Sequence, residues 1–447
     1  MGAMVAQNPG ILPFNWKSTV SPTRLTTTFT SLPVRCSSFS STRSLRYAVL
    51  GAGFAGLSVA WNLLRHGSKD SHLCVDIYDE AAVGGGASGI AGGLLHPYSP
   101  KVKLLWNGAE CWDETLSLLN IAEQALLKLV NQGEGKILED GESAIVRRRG
   151  ILRPAVNLKS MNIMSENAQN YLANCRIEVI NEDAAQKLVP NLSVPLNMAF
   201  YMPEALNVNA QRYLKGLYLA CENLANGTST LGHLNRELNF HQKSVPSLLE
   251  LSGDYDAVII CFGARAAFLP ELSGKLPLRA CRGVIAKLQL SDDIREDYPP
   301  HSPSILSDAW LAVHGARHMD LGSTWDWESR TYSRDVTADE ASEAVKVLLP
   351  KACLVYPAIE KWAITGTVGG LRGMPPVTAN GSLPLLGCVD KYIDGSRSCK
   401  YWLFTGLGAR GLLYHAWLGK LLVRAVLSCN EDLLPVELTS WKHKVHR

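Results

Sequence analysis

The hexapeptide Gly51-Ala52-Gly53-Phe54-Ala55-Gly56 sits between two apolar runs of different period, and that placement restricts the fold more than any other feature of the chain. Residues 46–50 before it read as a short buried strand. Residues 57–65 after it read as a helix that stops at His66-Gly67. A second apolar strand over 73–78 ends in Asp79-Glu80. In this setting the glycines have separate tasks. Gly51 permits the tight turn, Gly53 lets backbone approach a pyrophosphate, and Gly56 lets the helix pack on the strand. The helix start offers unpaired N–H groups and the positive end of its dipole to phosphates. The acid closing the second strand accepts ribose hydroxyls, and register picks Asp79, with Glu80 as the alternative. A GxGxxG alone is common, but strand, helix and acid at this spacing make it a dinucleotide fingerprint. It leaves FAD and NAD open.

A second glycine-dense loop follows at 83–97, from Val83 through Gly84-Gly85-Gly86-Ala87-Ser88-Gly89-Ile90-Ala91-Gly92-Gly93 to Pro97. Backbone so free of side chains suits close wrapping of a large planar ligand. Here the chain resembles the FAD-dependent oxidoreductases of the D-amino-acid oxidase and glycine oxidase superfamily. Three further blocks support the resemblance: the buried run 255–264 ending in Gly263-Ala264, the Gly370-Leu371-Arg372 block followed by 380–387, and the loop 405–412 leading into a helical run to Leu427. It covers residues 46 to about 430. Within the superfamily the chain most resembles the oxidoreductase domain of the bifunctional bacterial enzyme that makes 5-methylaminomethyl-2-thiouridine in tRNA. The basis is Leu95-His96-Pro97 after the GASG stretch, the Gly322–Trp325 turn and the GLGARGL ending. No methyltransferase domain fits in this chain, which leaves the substrate open.

The resemblance implies noncovalent FAD, since no matching attachment motif surrounds His96 or the nearby cysteines. It carries cofactor contacts onto Gly51, Gly53, Phe54, Ala55, Gly56, Asp79, Glu80, Gly86, Ala87, Ser88, Gly92, Gly93, Leu94, Val245, Gly263, Ala264, Arg372, Gly406, Gly408, Ala409, Arg410, Gly411 and Leu412. In such enzymes a hydride equivalent passes from the carbon bearing nitrogen to flavin N5, the imine hydrolyses, and oxygen or another acceptor takes the electrons. The cofactor carries that chemistry while the protein orients and polarises. A neutral amine needs no side-chain base, and no catalytic triad is found. A substrate carboxylate needs a fixed cation, and the planar fork of arginine suits it. Arg372 matches the family's carboxylate-binding arginine, although Gly373 replaces the usual proline and Met374-Pro375-Pro376 follow. A structural salt-bridging role for Arg372 stays open. Arg410 is open between cofactor, substrate and helix-start surface. His96, Tyr98 and Lys101 follow the flavin loop closely enough to reach the pocket, yet a lone histidine beside proline more often is a satisfied loop residue. Trp325, Trp327 and Tyr332 are expected in the core rather than as an aromatic wall. No metal site is expected.

The intervening segments must build the substrate side. Apolar spacing predicts an amphipathic helix over 109–132, with further helices over 209–223 and 339–349. Strand-like runs at 283–290, 304–313 and 362–368 supply a mostly antiparallel sheet. The expected fold class is therefore α/β plus α+β: a doubly wound FAD-binding domain of the Rossmann-like, glutathione-reductase type, assembled from segments 46–105, 230–270 and 370–428. An antiparallel-sheet substrate domain comes from 106–229 and 271–369, and 431–447 is a C-terminal tail.

Residues 1–45 are rich in Ser and Thr, and the first acidic residue of the chain is Asp70. This composition, without an apolar h-region, predicts a transit peptide, plastid before mitochondrial, with Val34-Arg35-Cys36-Ser37 resembling a plastid processing site. Without the five basic residues of the first 46, the body holds 39 basic against 41 acidic residues. Such a near-neutral body gives no global reason to bind polyanions. The basic clusters Arg147-Arg148-Arg149 and 442–447 read as a solvated loop and tail. No apolar run is long enough for a membrane span. Eleven scattered cysteines without CxxC spacing argue for free thiols in a reducing compartment. The favoured function is oxidation of an amine or amino-acid-like small molecule. The competitors are oxidation of carboxymethylaminomethyl-uridine in organellar tRNA, with nucleic acid not favoured by charge, and a flavin-binding assembly factor without turnover. A nicotinamide dehydrogenase is disfavoured because it gives the second glycine loop no role.

Overall fold

The computed structural model describes residues 44–67, 71–131, 144–229, 236–295, 297–393 and 399–443. The leader expected over 1–45 lies outside them except for its last two residues, which open strand β1 (Ser44–Leu50). The chain then turns through Gly51 at φ 113°, where an added Cβ would lie 2.6 Å from the Cys261 carbonyl oxygen. Helix α1 (Phe54–His66) starts three residues before the expected point. A Cβ on Gly56 would lie 1.7 Å from the Gly51 oxygen, so glycine is what lets the helix seat on its turn. Every residue of α1 from Phe54 to Leu64 is buried, which makes it a core helix. Strand β2 (His72–Asp79) follows.

The next stretch is built of short pieces and two long helices. In order come β3 (Leu94–Leu95), α2 (Gly108–Asn131), β4 (Val146–Arg147), β5 (Ile151–Pro154) and α3 (Leu158–Asn167). After them run β6 (Glu178–Ile180), α4 (Glu182–Leu188), β7 (Ala199–Met202), β8 (Leu206–Val208) and α5 (Ala210–Ser229). Asparagines start α3 and α4: the Asn157 and Asn181 side chains accept from the N–H groups of Ser160 and Ala184. Then come β9 (Arg236–Gln242), β10 (Ala257–Ile260), β11 (Arg279–Leu290), β12 (Ser304–Ile305), β13 (Trp310–Val313) and β14 (His318–Gly322). The chain closes with α6 (Ala338–Cys353), β15 (Trp362–Met374), β16 (Val377–Thr378), β17 (Gly381–Ser382), β18 (Leu385–Cys388), β19 (Lys400–Thr405), α7 (Gly411–Leu427) and α8 (Val436–Thr439).

Two sheets organise these elements. The six-stranded sheet has the order β18-β19-β10-β1-β2-β9, parallel except for the edge strand β18. Ala48, Leu50, Val258 and Ile260 point to one face with Leu248 and Trp441, while Tyr47, Val49 and Ile259 join the core formed with α1, α2, α5 and α7. The eight-stranded sheet has the order β15-β11-β14-β13-β12-β5-β7-β6, antiparallel except for the β12–β5 pair. Its back face packs Leu152, Leu311, Leu321 and Ala286 against Leu348 and Ala352 of α6. This is the expected pairing of a doubly wound layer with an antiparallel one.

Four expectations need correction. Helices α2 and α5, expected on the substrate side within 106–229, pack with α1 and α7 against the six-stranded sheet. The run 304–313 is not one strand but the hairpin β12–β13, because Ser307 and Asp308 turn the chain. Residues 370–374 end β15 in the eight-stranded sheet; the chain crosses to the six-stranded sheet only later, at β18. The segment 431–443 is no tail either. Trp441 is buried and donates its indole N–H to the Leu386 carbonyl at 2.9 Å, and Lys442, expected in a solvated tail, is buried against Glu431. Residues 444–447 lie outside the described residues.

Candidate cofactor and substrate site

The glycine turns converge. Phe54 N donates to Ser88 Oγ at 3.2 Å, and Gly84 N donates to the Ala52 carbonyl at 3.0 Å, so the two glycine loops are bonded to each other. A Cβ on Gly53 would meet Ser88 Oγ at 2.8 Å; the missing side chain admits the second loop. A Cβ on Gly411 would lie 3.3 Å from the Phe54 ring, and one on Gly370 would lie 3.1 Å from Ala87 Cα. Thr405 Oγ1 donates to the Gly263 carbonyl at 2.6 Å, and Gly373 abuts Ala264. Gly406 and Gly408 adjoin Pro375, while Ala409 is exposed beside them. The stretches 51–56, 84–93, 263–264, 370–373 and 406–411 thus close a ring.

The electrostatics of that ring fit an anionic dinucleotide. The amino ends of α1 and α7 lie side by side, neither has a side-chain cap, and neither has an acid in its first turn. Two positive helix ends in contact favour an anion between them. Asp79 Oδ2 accepts from Ala52 N at 2.8 Å and Oδ1 from Ala81 N at 3.0 Å, which fixes the carboxyl at the first turn, and burial raises its pKa above the usual value. Glu80 is turned away into an ion pair with Arg265 at 2.7 Å. Gly86 faces open space, Gly92 packs on the Trp310 ring, and Gly93 at φ 77° lies against the Val208 carbonyl. Leu94 pairs with Asn207 in the β3–β8 ladder. The side chains of Val245 and Leu412 are buried in the core, which leaves only their backbone for a ligand.

The expected substrate residues separate into kinds. Arg372 is part-buried at the end of β15, its guanidinium over Gly283 on the cofactor side of the sheet. Its Nη2 donates to the Thr324 carbonyl at 2.8 Å and its Nη1 to Ser323 Oγ at 3.2 Å, and the Trp325 ring covers it at 4.1 Å. No carboxylate of the described residues forms an ion pair with it, so it is not a structural salt-bridging arginine; burial lowers its pKa. Arg410 ends the turn before α7, and burial lowers its pKa to about 10 despite Tyr414. His96 is buried, with Nδ1 accepting from Tyr98 N at 3.3 Å. Burial first, then the charges of Arg410 and Arg153, hold it well below 6.5, so it is neutral at physiological pH. Tyr98 is fully buried and structural, bonding the Leu172 N–H and the Cys175 carbonyl, and Lys101 is exposed.

The aromatic residues overturn their expectation. Trp325 and Tyr332 are 49% and 51% exposed, not core. They stack on cations instead: Trp325 on Arg372, Trp327 on Arg279 at 4.5 Å, and Tyr332 on Arg265 at 4.9 Å. Nor is the basic run 147–149 a plain solvated loop. Arg147 donates to the Pro300 and Ser302 carbonyls and Arg148 pairs with Glu123, while Arg149 is exposed. Sequence reasoning missed Arg153 of β5 and Trp310 of β13 altogether. The signal for Arg153 was a charge set among apolar residues in Ile151–Pro154. The ten described cysteines are free thiols. Among the described residues no cluster of metal ligands occurs, and no helix is long and apolar enough to cross a membrane.

Known proteins resemble this chain in sequence or in fold. A family model described as FAD-dependent oxidoreductase matches residues 46–425. The chain is 27% identical over 355 residues to the putative thiamine biosynthesis oxidoreductase ThiO of Rhizobium etli, covering 75% of this chain and 88% of that protein. Its fold is similar to that of glycine oxidase from Geobacillus kaustophilus, with a TM-score of 0.61, 19% identity and coverage of 89% and 98% of the two chains. It is also similar to iminodiacetate oxidase from Chelativorans sp. BNC1, with a TM-score of 0.59, 18% identity and coverage of 88% and 98%.

Proposed function

Because the chain belongs to the FAD-dependent oxidoreductase family, we propose that it oxidises the carbon–nitrogen bond of a carboxylate-bearing amine or amino-acid-like small molecule. A bound FAD would supply the acceptor for a hydride equivalent from the carbon next to nitrogen, leaving an imine for water to hydrolyse. The observation that carries this reading is Arg372: a part-buried cation without a counter-charge among the described residues, on the cofactor side of its sheet. Its fork binds the substrate carboxylate, displacing the 3.2 Å contact to Ser323, while Trp325 and the Thr324 carbonyl hold the guanidinium in place. Asp79 and the α1 start would hold the ribose and pyrophosphate, and the loops 86–94, 263–264 and 406–412 would line the rest of a noncovalent cofactor. Neutral His96 repels no amine, and a substrate bound as the free amine needs no general base. Oxygen or another acceptor takes the electrons.

The test is a visible spectrum of the purified protein followed by anaerobic titration with sarcosine, glycine and related amines. A yellow chromophore released by denaturation and bleached by one of them is expected; a well-folded protein without flavin overturns the proposal. The names of the relatives support an amine or amino-acid substrate, since those proteins include a glycine oxidase and an iminodiacetate oxidase. The Ser/Thr-rich, acid-free stretch 1–45 supports the plastid stroma, with the mitochondrion as alternative; a fluorescent fusion to that stretch decides between them.

One observation favours a second reading, oxidation of carboxymethylaminomethyl-uridine in organellar tRNA. A cavity of about 590 Å³ is lined by Arg147, Arg148 and Arg149, and it shares Asn209 and His314 with a second cavity that reaches Gly89–Ala91 of the cofactor loop. Unchanged wobble-uridine nucleosides in organellar tRNA from a strain lacking the protein would exclude this reading.

A further inference from the structure

Arg372 is not the only cation on the cofactor side that lacks a carboxylate. Leu152 of β5 points to the back face, among Leu311, Leu321 and Ala286 under α6. Side chains alternate along a strand, so Arg153, the next residue, points to the opposite face. That face also carries Trp310 and Gly322, against which the cofactor loop packs at Gly92. The Nε of Arg153 is buried and bonded to nothing. No ion pair reaches Arg153 or Arg410 from the described residues, and the acid whose charge bears on Arg153 is exposed Asp308. Arg410 approaches from the turn before α7 and His96 from the end of the cofactor loop, close enough that each feels the charge of Arg153. His96 Nδ1 accepts the Tyr98 N–H, which leaves the proton of the neutral ring on Nε2, a donor.

Two like charges gathered in a part-buried place, one with an orphaned donor, are unfavourable without an anion. We propose that Arg153, Arg410 and His96 form a second anion subsite, separate from Arg372, so that the substrate carries a second anionic group at a distance from its reacting carboxylate. The subsite rests on the amine-oxidase reading for the identity of the first anchor. The sheet order sets the span. Five strand steps separate β15 from β5, which at ~4.8 Å each is roughly 24 Å between strand axes, and the inward reach of Arg372 shortens the gap between the guanidinium groups. Arg372 reaches inward in this way, over Gly283 of β11 to Thr324 just after β14. A short diacid such as iminodiacetate is too small to touch both. The substrate class is therefore an elongated amino acid or amine with a terminal carboxylate or phosphate.

The test needs no turnover. The FAD-loaded full chain is titrated calorimetrically with linear nine-carbon azelate, with nonanoate as the one-anion control, and with five-carbon glutarate. Wild-type protein is expected to bind azelate about tenfold more tightly than nonanoate, as a second charge-assisted contact requires, and glutarate no better than a monoacid. In Arg153→Met the azelate advantage falls to about threefold or less while nonanoate affinity and bound FAD persist. Loss of an unpaired buried cation should not unfold the chain, and Arg153→Gln provides a second variant. 8-Phosphonooctanoate replaces azelate in a parallel arm, and tighter binding identifies a phosphate as the natural group. Equal affinity for azelate and nonanoate in the wild type overturns the subsite. So does an Arg153→Met protein that loses nonanoate and FAD together, since the cluster then serves the cofactor. Azelate preference without oxidation of any amine would sink the catalytic reading and keep the subsite; amine oxidation without the preference does the reverse.

Discussion

Arg282 and Arg372 occupy neighbouring rungs of one antiparallel ladder, Arg282 opposite Leu371 and Arg372 opposite Cys281, and they face opposite ways. Behind the sheet, Arg282 is fully buried and spends all its donors: both oxygens of Glu340, and the carbonyls of Thr331, Ser333 and Asp335 at 2.7–3.0 Å. In front, Arg372 is part-buried with one short contact to the Thr324 carbonyl, longer ones to Ser323 Oγ and to the carbonyl and Sγ of Cys281, and an indole lid. Both guanidinium groups are withdrawn from solvent, Arg282 wholly and Arg372 in part, so burial by itself does not mark function here. The missing counter-charge does. A buried cation with its carboxylate holds structure together, and one without it is kept for a ligand.

The sharpest way to break that comparison is to remove each cation in turn. Arg282→Met leaves Glu340 and three carbonyls unpaired, and should lower unfolding free energy by about 3–5 kcal/mol, read by urea denaturation at saturating FAD. A variant as stable as the wild type would show the back-face network to be dispensable and the comparison empty.

A third way to accommodate a buried base is to leave it uncharged. His415 of α7 is fully buried, its Nδ1–H facing the Gly411 carbonyl at 3.1 Å and its Nε2 accepting from Tyr213 Oη at 2.7 Å, with burial lowering its pKa from 6.5 to about 4. The unfolded chain therefore takes up this proton before the folded one does. The contribution of His415 is intact above pH 6.5 and is lost as pH falls toward about 4. The full loss is about 3 kcal/mol at 1.36 kcal/mol per pKa unit. The stability difference between wild type and His415→Gln, measured from pH 7 to 4, should shrink or invert over that window. A difference constant with pH would mean that the ring is not buried as the neutral base.

How far such contrasts were legible in the sequence depends on how local their causes are. The turn 51–56 and its flanking elements were readable because Gly51 and Gly56 constrain each other five residues apart, and helix 109–132 was off by one residue at its start, its last expected residue lying outside the described residues, because its apolar spacing is continuous. The aromatic residues were misread because hydrophobicity suggests burial, while their actual partners Arg372, Arg279 and Arg265 lie 47, 48 and 67 residues away along the chain. Arg153 was invisible for a related reason. Its strand has four residues and acquires a face only by pairing with β7 and β12, which are distant in sequence.

Arg372→Met tests the front face directly. With no carboxylate left behind unpaired, stability should hold or rise slightly, while kcat/KM for a carboxylate-bearing amine falls about 100-fold, close to 3 kcal/mol. The same substitution should leave kcat/KM for an amine lacking a carboxylate within about threefold. If both amines suffer alike, Arg372 serves the cofactor, and the division between the two faces has to be redrawn.

The smallest effect comes from the lid. Trp325 lies between Arg372 at 4.1 Å and Trp327 at 6.0 Å, and Trp327 in turn lies over Arg279 at 4.5 Å, so two cations and two indoles form one stack. An exposed cation–π contact contributes about 0.5–1 kcal/mol. Trp325→Ala should therefore raise KM for carboxylate-bearing amines about three- to fivefold with kcat nearly unchanged, because the guanidinium loses its lateral support but keeps its carbonyl anchor at Thr324. Trp327→Ala, one ring further from the charge, should change KM less. A fall in kcat at unchanged KM would instead assign the indole to the reacting geometry, and Arg372 would then owe its position to Ser323, Thr324 and Cys281.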